Sequence, residues 1–280
     1  MDNGRKRKLV QAAAALLMNG NLPGFFQGRI YQGGLKKFCA PGLNCYSCPG
    51  ALGACPIGSL QALAANPRTL VSFYVCGFLL ITGVLTGRFL CGFLCPFGLA
   101  QDLLYKIPLK KWRRKRVFRW LAWGKYIALA VFVAGVPAGL ALAGEISVPV
   151  FCKYICPAGT LGAGIPLAMA NESIRGALGW LFAWKLAVLA LVILLSMKLF
   201  RPFCRFLCPL GALLSLFNRV SLLRIKTDGA RCDSCGKCRN ACRVEAPHPD
   251  HRECVRCGAC AAGCPKRAMR WSIKQDRQKQ

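Results

Sequence analysis

Three stretches of the chain, 69–87, 120–143 and 177–199, are predominantly apolar instead of alternating or striped at helical period. Each is near the roughly 20 residues that a bilayer-crossing helix requires. A fourth apolar run starts at Leu9, directly after Arg5-Lys6-Arg7-Lys8, and is broken by Asn19, Gly20, Asn21 and Pro23. Its basic start resembles a signal peptide, but it lacks a clear small-residue cleavage site. An uncleaved first helix is the better reading, with a re-entrant segment as the alternative. After residue 225 the chain turns polar. The pattern predicts an α-helical integral membrane protein with about four transmembrane helices over 1–225, in repeats of about 1–110 and 111–225, followed by a small α+β module over 226–280.

Composition narrows the class. The 280 residues are 55% hydrophobic, carry a formal charge of +29 and include 19 cysteines, with mean hydropathy +0.38. A disordered basic tail would be far less apolar. A secreted disulfide scaffold would be shorter. Nucleic-acid binding would explain the charge but not the apolar runs. The charge is better read as a membrane-orientation signal plus compensation for anionic cofactors.

Cytoplasmic loops carry the Lys/Arg excess. Arg5 to Lys8 therefore place the N-terminus inside, as does the connection with Lys106, Lys110, Lys111, Arg113, Arg114, Lys115, Arg116 and Arg119. The opposite segments are thinly charged, with Arg29, Lys36, Lys37 and Arg68 in one and Lys153 and Arg175 in the other. Four crossings satisfy this alternation and leave both termini cytoplasmic. Cys91, Cys95, Cys204 and Cys208 then lie at the inner face, and Cys39, Cys45, Cys48, Cys55, Cys152 and Cys156 at the outer face.

An internal repeat organises these cysteines. Residues 88–98, RFLCGFLCPFG, align without a gap to 201–211, RPFCRFLCPLG, with seven of eleven positions identical. Cys152-Lys-Tyr-Ile-Cys156-Pro-Ala-Gly159 and Cys55-Pro-Ile-Gly58 are related arms. Shared membrane hydrophobicity would explain apolar matches but not matched Cys, Pro and Gly. Parallel repeats place cofactor sites at their interface.

In Cys-x-x-x-Cys-Pro, Pro suits the first helical position, because its missing N–H would be unpaired there anyway. The helix amides then face the preceding sulfur and favour an anionic group. Two such arms supply four thiolates, the complement of one [4Fe–4S] cluster. Arg88, Arg201, Arg205 and Lys153 are candidates to offset the negative charge near hydrocarbon; Arg88 and Arg201 serve equally well as snorkelling flanks.

The polar tail carries Cys232, Cys235, Cys238 and Cys242, then Cys254, Cys257, Cys260 and Cys264, in two runs of x2, x2, x3 spacing. This matches the bacterial two-cluster ferredoxin run, in which the fourth cysteine crosses to the other cluster. Zinc prefers paired Cys-x2-4-Cys elements. Cys242 would thus join Cys254, Cys257 and Cys260, while Cys264 joins Cys232, Cys235 and Cys238. One departure is Arg243, which stands where Pro would follow Cys242.

The outer group of six exceeds one cluster and falls short of two. Cys152 and Cys156 with two of Cys45, Cys48 and Cys55 is the first choice. A self-contained site of Cys39, Cys45, Cys48 and Cys55 is the alternative. Cys76 reads as a packing residue. Lys125 and Lys185 read as interfacial snorkelling lysines, Lys185 being the one to test for cofactor contact. His248 and His251 read as solvent-exposed.

The paired arms followed by the two-cluster tail resemble the membrane polyferredoxin family of NapH-like 4Fe-4S proteins. That family includes the membrane subunit of the periplasmic nitrate reductase quinol dehydrogenase, the membrane core of the nitrous-oxide reductase regulator and an oxidase assembly factor. The resemblance covers nearly the whole chain and implies electron transfer across a prokaryotic inner membrane. It maps the family's arms onto Cys91, Cys95, Cys204 and Cys208. The expected function is a relay between a cytoplasmic donor or the quinone pool and an extracytoplasmic acceptor, with no independent catalytic site. The expected partners are membrane lipid, redox proteins on one or both sides and a quinone. A quinol dehydrogenase subunit and a redox sensor or assembly factor are the rival readings. Accessibility tags near Lys36 and near Arg114 are expected to label from opposite sides of the membrane; labelling from one side would overturn the topology.

Overall fold

A computed structural model describes residues 3–65, 71–112, 117–145 and 148–273. Arg68, the start of the 69–87 run, and Arg113, Arg114, Lys115 and Arg116 lie outside the described residues. The protein is mostly helical, and its one sheet among the described residues has two antiparallel strands, Arg224–Thr227 and Met269–Ser272, with Ile225 opposite Trp271.

Among the described residues two helices, not four, are long and apolar enough to cross a membrane: Val117–Leu142 and Trp180–Lys198. At 1.5 Å per residue they extend about 39 and 28 Å, against a hydrocarbon core of about 30 Å. Their most apolar windows are only 22% and 17% buried within the protein, so their side chains face outward as lipid-facing helices do. The expected second span is the shorter apolar helix Phe73–Thr86. The expected first span is Asn3–Met18, whose first turns hold Arg5, Lys6, Arg7 and Lys8. Only Leu9 to Met18 is apolar, about 15 Å of helix, too short to cross. Arg7 and Gln11 are buried against the protein instead of marking a membrane flank.

Two helical stretches widen to π-geometry, Ala128–Gly135 and Thr160–Gly164. Each is followed by a Pro at the start of the next α segment, Pro137 or Pro166. Proline removes one ladder donor and crowds the preceding turn, which accounts for the irregularity.

The arms fold alike. A short helix, Phe89–Phe93, Val150–Tyr154 or Pro202–Phe206, ends two residues before a cysteine, and a Pro-led helix follows. Cys95, Cys156 and Cys208 cap these second helices with nearly identical backbone angles, φ −67°, −67° and −71° with ψ 118°, 107° and 115°. The glycine of Cys-Pro-x-Gly lets each inner helix sit on its own arm. A Cβ on Gly98 would lie 3.1 Å from the Cys91 carbonyl oxygen, and one on Gly211 3.0 Å from that of Cys204.

A buried carboxylate ties the N-terminal helix to both inner arms. Asp102 accepts from Arg201 Nε at 2.6 Å and Nη2 at 2.7 Å, and from Arg7 Nη2 at 2.6 Å. Arg7 also donates to the Gly92 carbonyl at 2.7 Å, and Gln11 to the Cys95 carbonyl at 2.8 Å. Replacing Asp102 by Ala leaves two buried guanidiniums without their carboxylate. Breaking a buried pair in this way costs about 3–5 kcal/mol. Unfolding of the detergent-solubilised D102A protein should show a loss of that size; a loss below about 1 kcal/mol would refute the anchoring role.

Candidate metal centres

The inner arms bring Cys91, Cys95, Cys204 and Cys208 into one buried neighbourhood. Cys204 lies within electrostatic reach of Cys95 and Cys91, and Cys208 within reach of Cys204, Cys91 and Cys95. The Gly211 amide donates to the Cys208 sulfur at 3.4 Å, and the Gly98 amide reaches the Cys95 sulfur likewise. The helix N-termini thus present N–H groups to sulfur, as their Pro-led sequence requires.

Arg88 and Arg201 are each 1% exposed, so neither snorkels. They bond reciprocally across the arms. Arg88 Nη2 donates to the Cys204 carbonyl at 3.0 Å, and Arg201 Nη1 donates to the Cys91 carbonyl. The Arg88 charge reaches Cys91, Cys204 and Cys208, and that of Arg201 reaches Cys204 and Cys95. Arg88 Nε is buried with no hydrogen-bond partner. Arg205 turns elsewhere, pairing with Glu245 at 3.6 Å and lying over the Phe118 and Phe206 rings.

The outer group resolves into a set and two outliers. Cys156 lies within electrostatic reach of Cys152, Cys55 and Cys45, and Cys55 within reach of Cys152 and Cys45. Cys45 also approaches Gly159 of the Cys156 helix, with its sulfur 3.6 Å from where a Cβ would stand. Cys48 sits one turn further along, against Gly162. Cys39 stands apart, its sulfur near the Ser59 hydroxyl at 3.9 Å and its backbone bridged to Ala54. Cys76 is exposed on the apolar helix.

Lys153, the cation expected beside this set, is not among those that reach it. Lys153 is exposed, its ammonium 5.3 Å from the Tyr154 ring. Lys36 is buried, donates to the Tyr46 and Ala51 carbonyls at 2.5 and 2.8 Å, and lies within reach of Cys45 and Cys48. The Lys185 charge reaches Cys45 and Cys152.

The two sets share one apolar core. Leu43, 3% exposed, places its amide at the Cys95 sulfur, two residues before Cys45. The loop therefore passes from one thiol set to the other within about 7 Å of chain.

In the polar module, Cys242 falls among the second run. Cys260 lies within reach of Cys254, Cys257 and Cys242, and burial pushes its thiol up to about 12; burial likewise pushes Cys254 up to about 11. Cys232 and Cys235 are exposed, and Cys238 and Cys264 are half-buried.

This module is clamped onto the inner arms. Glu253 pairs with Arg88 at 3.4 Å and with Lys125, which is fully buried instead of snorkelling. Burial pushes the Glu253 carboxyl up, but Arg88 and Lys125 outweigh it and hold it below the ordinary carboxylate range. Asn218 Nδ2 donates to the His251 and Cys254 carbonyls at 3.1 and 2.8 Å. Arg256 reaches the Asn218 and Thr86 carbonyls at 2.6 and 3.2 Å. His251 is half-buried, its Nδ1 accepting from the Glu253 amide at 3.2 Å. The module's backbone meets the first arm at Gly92, between Cys91 and Cys95, where a Cβ would collide with the Val255 carbonyl oxygen.

Among the described residues no three His, Cys, Asp or Glu side chains converge on one point as the ligands of a single metal ion would. Motif reading missed Gln61, Gln101, Asp102, Lys36 and Glu253. The signal for the glutamines was present as Cys-Pro-x-Gly-x-x-Gln at 55–61 and 95–101.

Residues 67–115, 127–165 and 180–227 match a family model described as a 4Fe-4S binding domain. These spans contain the inner arms and the Cys152–Cys156 arm. The chain is thus an iron–sulfur, membrane-associated electron-transfer protein. It is homologous to ferredoxin-type membrane proteins of the NapH and MauN kind. The ferredoxin-type protein NapH of Haemophilus influenzae is 27% identical over 240 residues, covering 79% of this chain and 75% of that protein. The methylamine utilization ferredoxin-type protein MauN of Paracoccus denitrificans is 28% identical over 240 residues, covering 82% and 72%. An uncharacterized protein of Methanocaldococcus jannaschii is 29% identical over 206 residues, covering 69% and 76%. No solved structure matches the chain.

Replacing Gly92 by Ala drives a Cβ into the Val255 carbonyl, a backbone atom that cannot swing aside. Overpacking of this kind costs about 1–3 kcal/mol. Amide exchange over residues 253–257 should accelerate in G92A while exchange in Trp180–Lys198 stays unchanged; unaltered exchange at 253–257 would refute the tight docking.

Proposed function

We propose that the protein relays single electrons between a soluble partner at the 226–280 module and the opposite membrane face, through four [4Fe–4S] clusters. Two would be held in the module by the crossed ferredoxin pairing, Cys232, Cys235 and Cys238 with Cys264, and Cys254, Cys257 and Cys260 with Cys242. A third would be held by Cys91, Cys95, Cys204 and Cys208, and a fourth by Cys45, Cys55, Cys152 and Cys156. The clusters supply reversible one-electron chemistry.

The donor set fits such a group. It offers buried thiols at helix N-termini, flanking guanidiniums and an orphaned Arg88 Nε. The observation that carries the reading is the Val255–Gly92 contact together with the Leu43–Cys45 loop. The first sets the second module run against the inner set, and the second links the inner set to the outer set, which supports a single series. The exposed Cys232 and Cys235 mark the end of the series open to a soluble partner. Arg88, Arg201, Lys36 and Lys185 lower the cost of placing anionic centres away from water. The N- and C-termini are placed in the cytoplasm on the loop-charge argument.

A quinone-linked variant has one specific observation in its favour. A cleft of about 790 Å³ opens at the start of the Val117–Leu142 helix, lined by Phe118, Trp123, Tyr126, Arg205, His251 and Glu253 among others. Quinone analogues that slow reduction of the centres would support this variant.

Anaerobically purified protein should contain about sixteen irons, against about eight if only the module is loaded. Replacing either Cys91 or Cys204 by Ser should abolish the same paramagnetic centre, and loss of two different centres would overturn the shared inner site. Cys45→Ser should abolish another centre, whereas Cys39→Ser should leave all four intact.

A further inference from the structure

Two glutamines occupy equivalent positions six residues after Cys55 and Cys95, and both are 1% exposed. Gln101 Nε2 lies 3.1 Å from the Cys204 sulfur, and its Oε1 accepts the Phe203 amide at 3.1 Å. Gln61 Nε2 lies 3.1 Å from the Cys152 sulfur, and its Oε1 accepts the Phe151 amide at 2.9 Å. Each Nε2 also meets a carbonyl one helical turn back, Phe97 at 3.4 Å or Ile57 at 3.3 Å.

These partners fix the orientation of both amides. A backbone N–H can only donate, so the oxygen must face it; a backbone carbonyl can only accept, so the nitrogen must face that side. The second N–H of each amide is left to point at sulfur. The two remaining arms carry Gly162 and Leu214 at the same offset, so a single glutamine reaches each set.

We propose that Gln61 and Gln101 are matched tuning residues, each donating an amide N–H to one cysteine thiolate of an embedded iron–sulfur centre and raising that centre's reduction potential. The inference rests on the relay reading above. Reduction adds one electron to the centre and breaks no bond, and the amide proton stays on nitrogen. The extra negative charge strengthens an N–H···S bond, so the donor stabilises the reduced form more than the oxidised form. Gln61 acts on the set containing Cys152, and Gln101 on the set containing Cys204, so each embedded centre has its own adjustment.

Redox titration of the purified full-length protein with dithionite, followed by paramagnetic resonance, tests this. Gln101→Leu should make one embedded centre about tenfold harder to reduce, about 59 mV lower for one electron. Gln61→Leu should shift a different centre and leave the first unmoved. Gln101→Glu keeps an acceptor for the Phe203 amide but loses the donor, and should lower the same potential as Gln101→Leu. Unmoved potentials in fully loaded variants would overturn the assignment. So would loss of about four irons from both Gln101 variants without a shift in the centres that remain, which would make the residue a scaffold only. Bare embedded thiols in the unmodified protein would overturn the relay reading itself, together with this one.

Discussion

The guanidiniums buried beside the inner thiols need partners of their own, and this requirement organises the structure. Arg88 and Arg201 meet it by bonding across the arms, each to the carbonyl of the opposite arm's first cysteine. An isolated buried guanidinium would be strongly destabilising. Asp102 and Glu253 each lie against one of these arginines and a second cation, Arg7 and Lys125 respectively. Each carboxylate thereby also fixes a tertiary contact: Asp102 holds the N-terminal helix, and Glu253 holds the polar module.

The same economy shows in the Cys-Pro-x-Gly element. Its Pro starts a helix, its Cys caps that helix, and its Gly supplies both an amide to sulfur and room against its own arm. Gly92 performs the corresponding task for the module, admitting the Val255 carbonyl where any side chain would block it. Its counterparts in the other arms, Lys153 and Arg205, could not admit a backbone carbonyl in this way.

The paired arms explain why the two embedded sets resemble each other without being identical. Each set takes one cysteine-bearing segment from the first half of the chain and a complete arm from the second, with one glutamine crossing between them. The outer set departs by recruiting Cys45 from a loop, and with it the buried Lys36 as the neighbouring cation.

Local chemistry was legible in the sequence: the apolar helices Val117–Leu142 and Trp180–Lys198, the capping cysteines before proline and the repeat of the arms. These depend on neighbours within a few residues, which spacing and hydropathy report directly. The number of membrane-length helices was not legible. Arg7 counts as a membrane flank in a hydropathy reading, yet it is neutralised by Asp102, 95 positions away. Only tertiary structure separated Lys153 from Lys36 and Lys185, divided six outer cysteines into a set and its outliers, and gave Gln61 and Gln101 their sulfur partners. The Arg7–Asp102 and glutamine–sulfur contacts join segments about a hundred residues apart, and the energy of buried charge pairs comes from excluding water around partners the linear chain does not reveal.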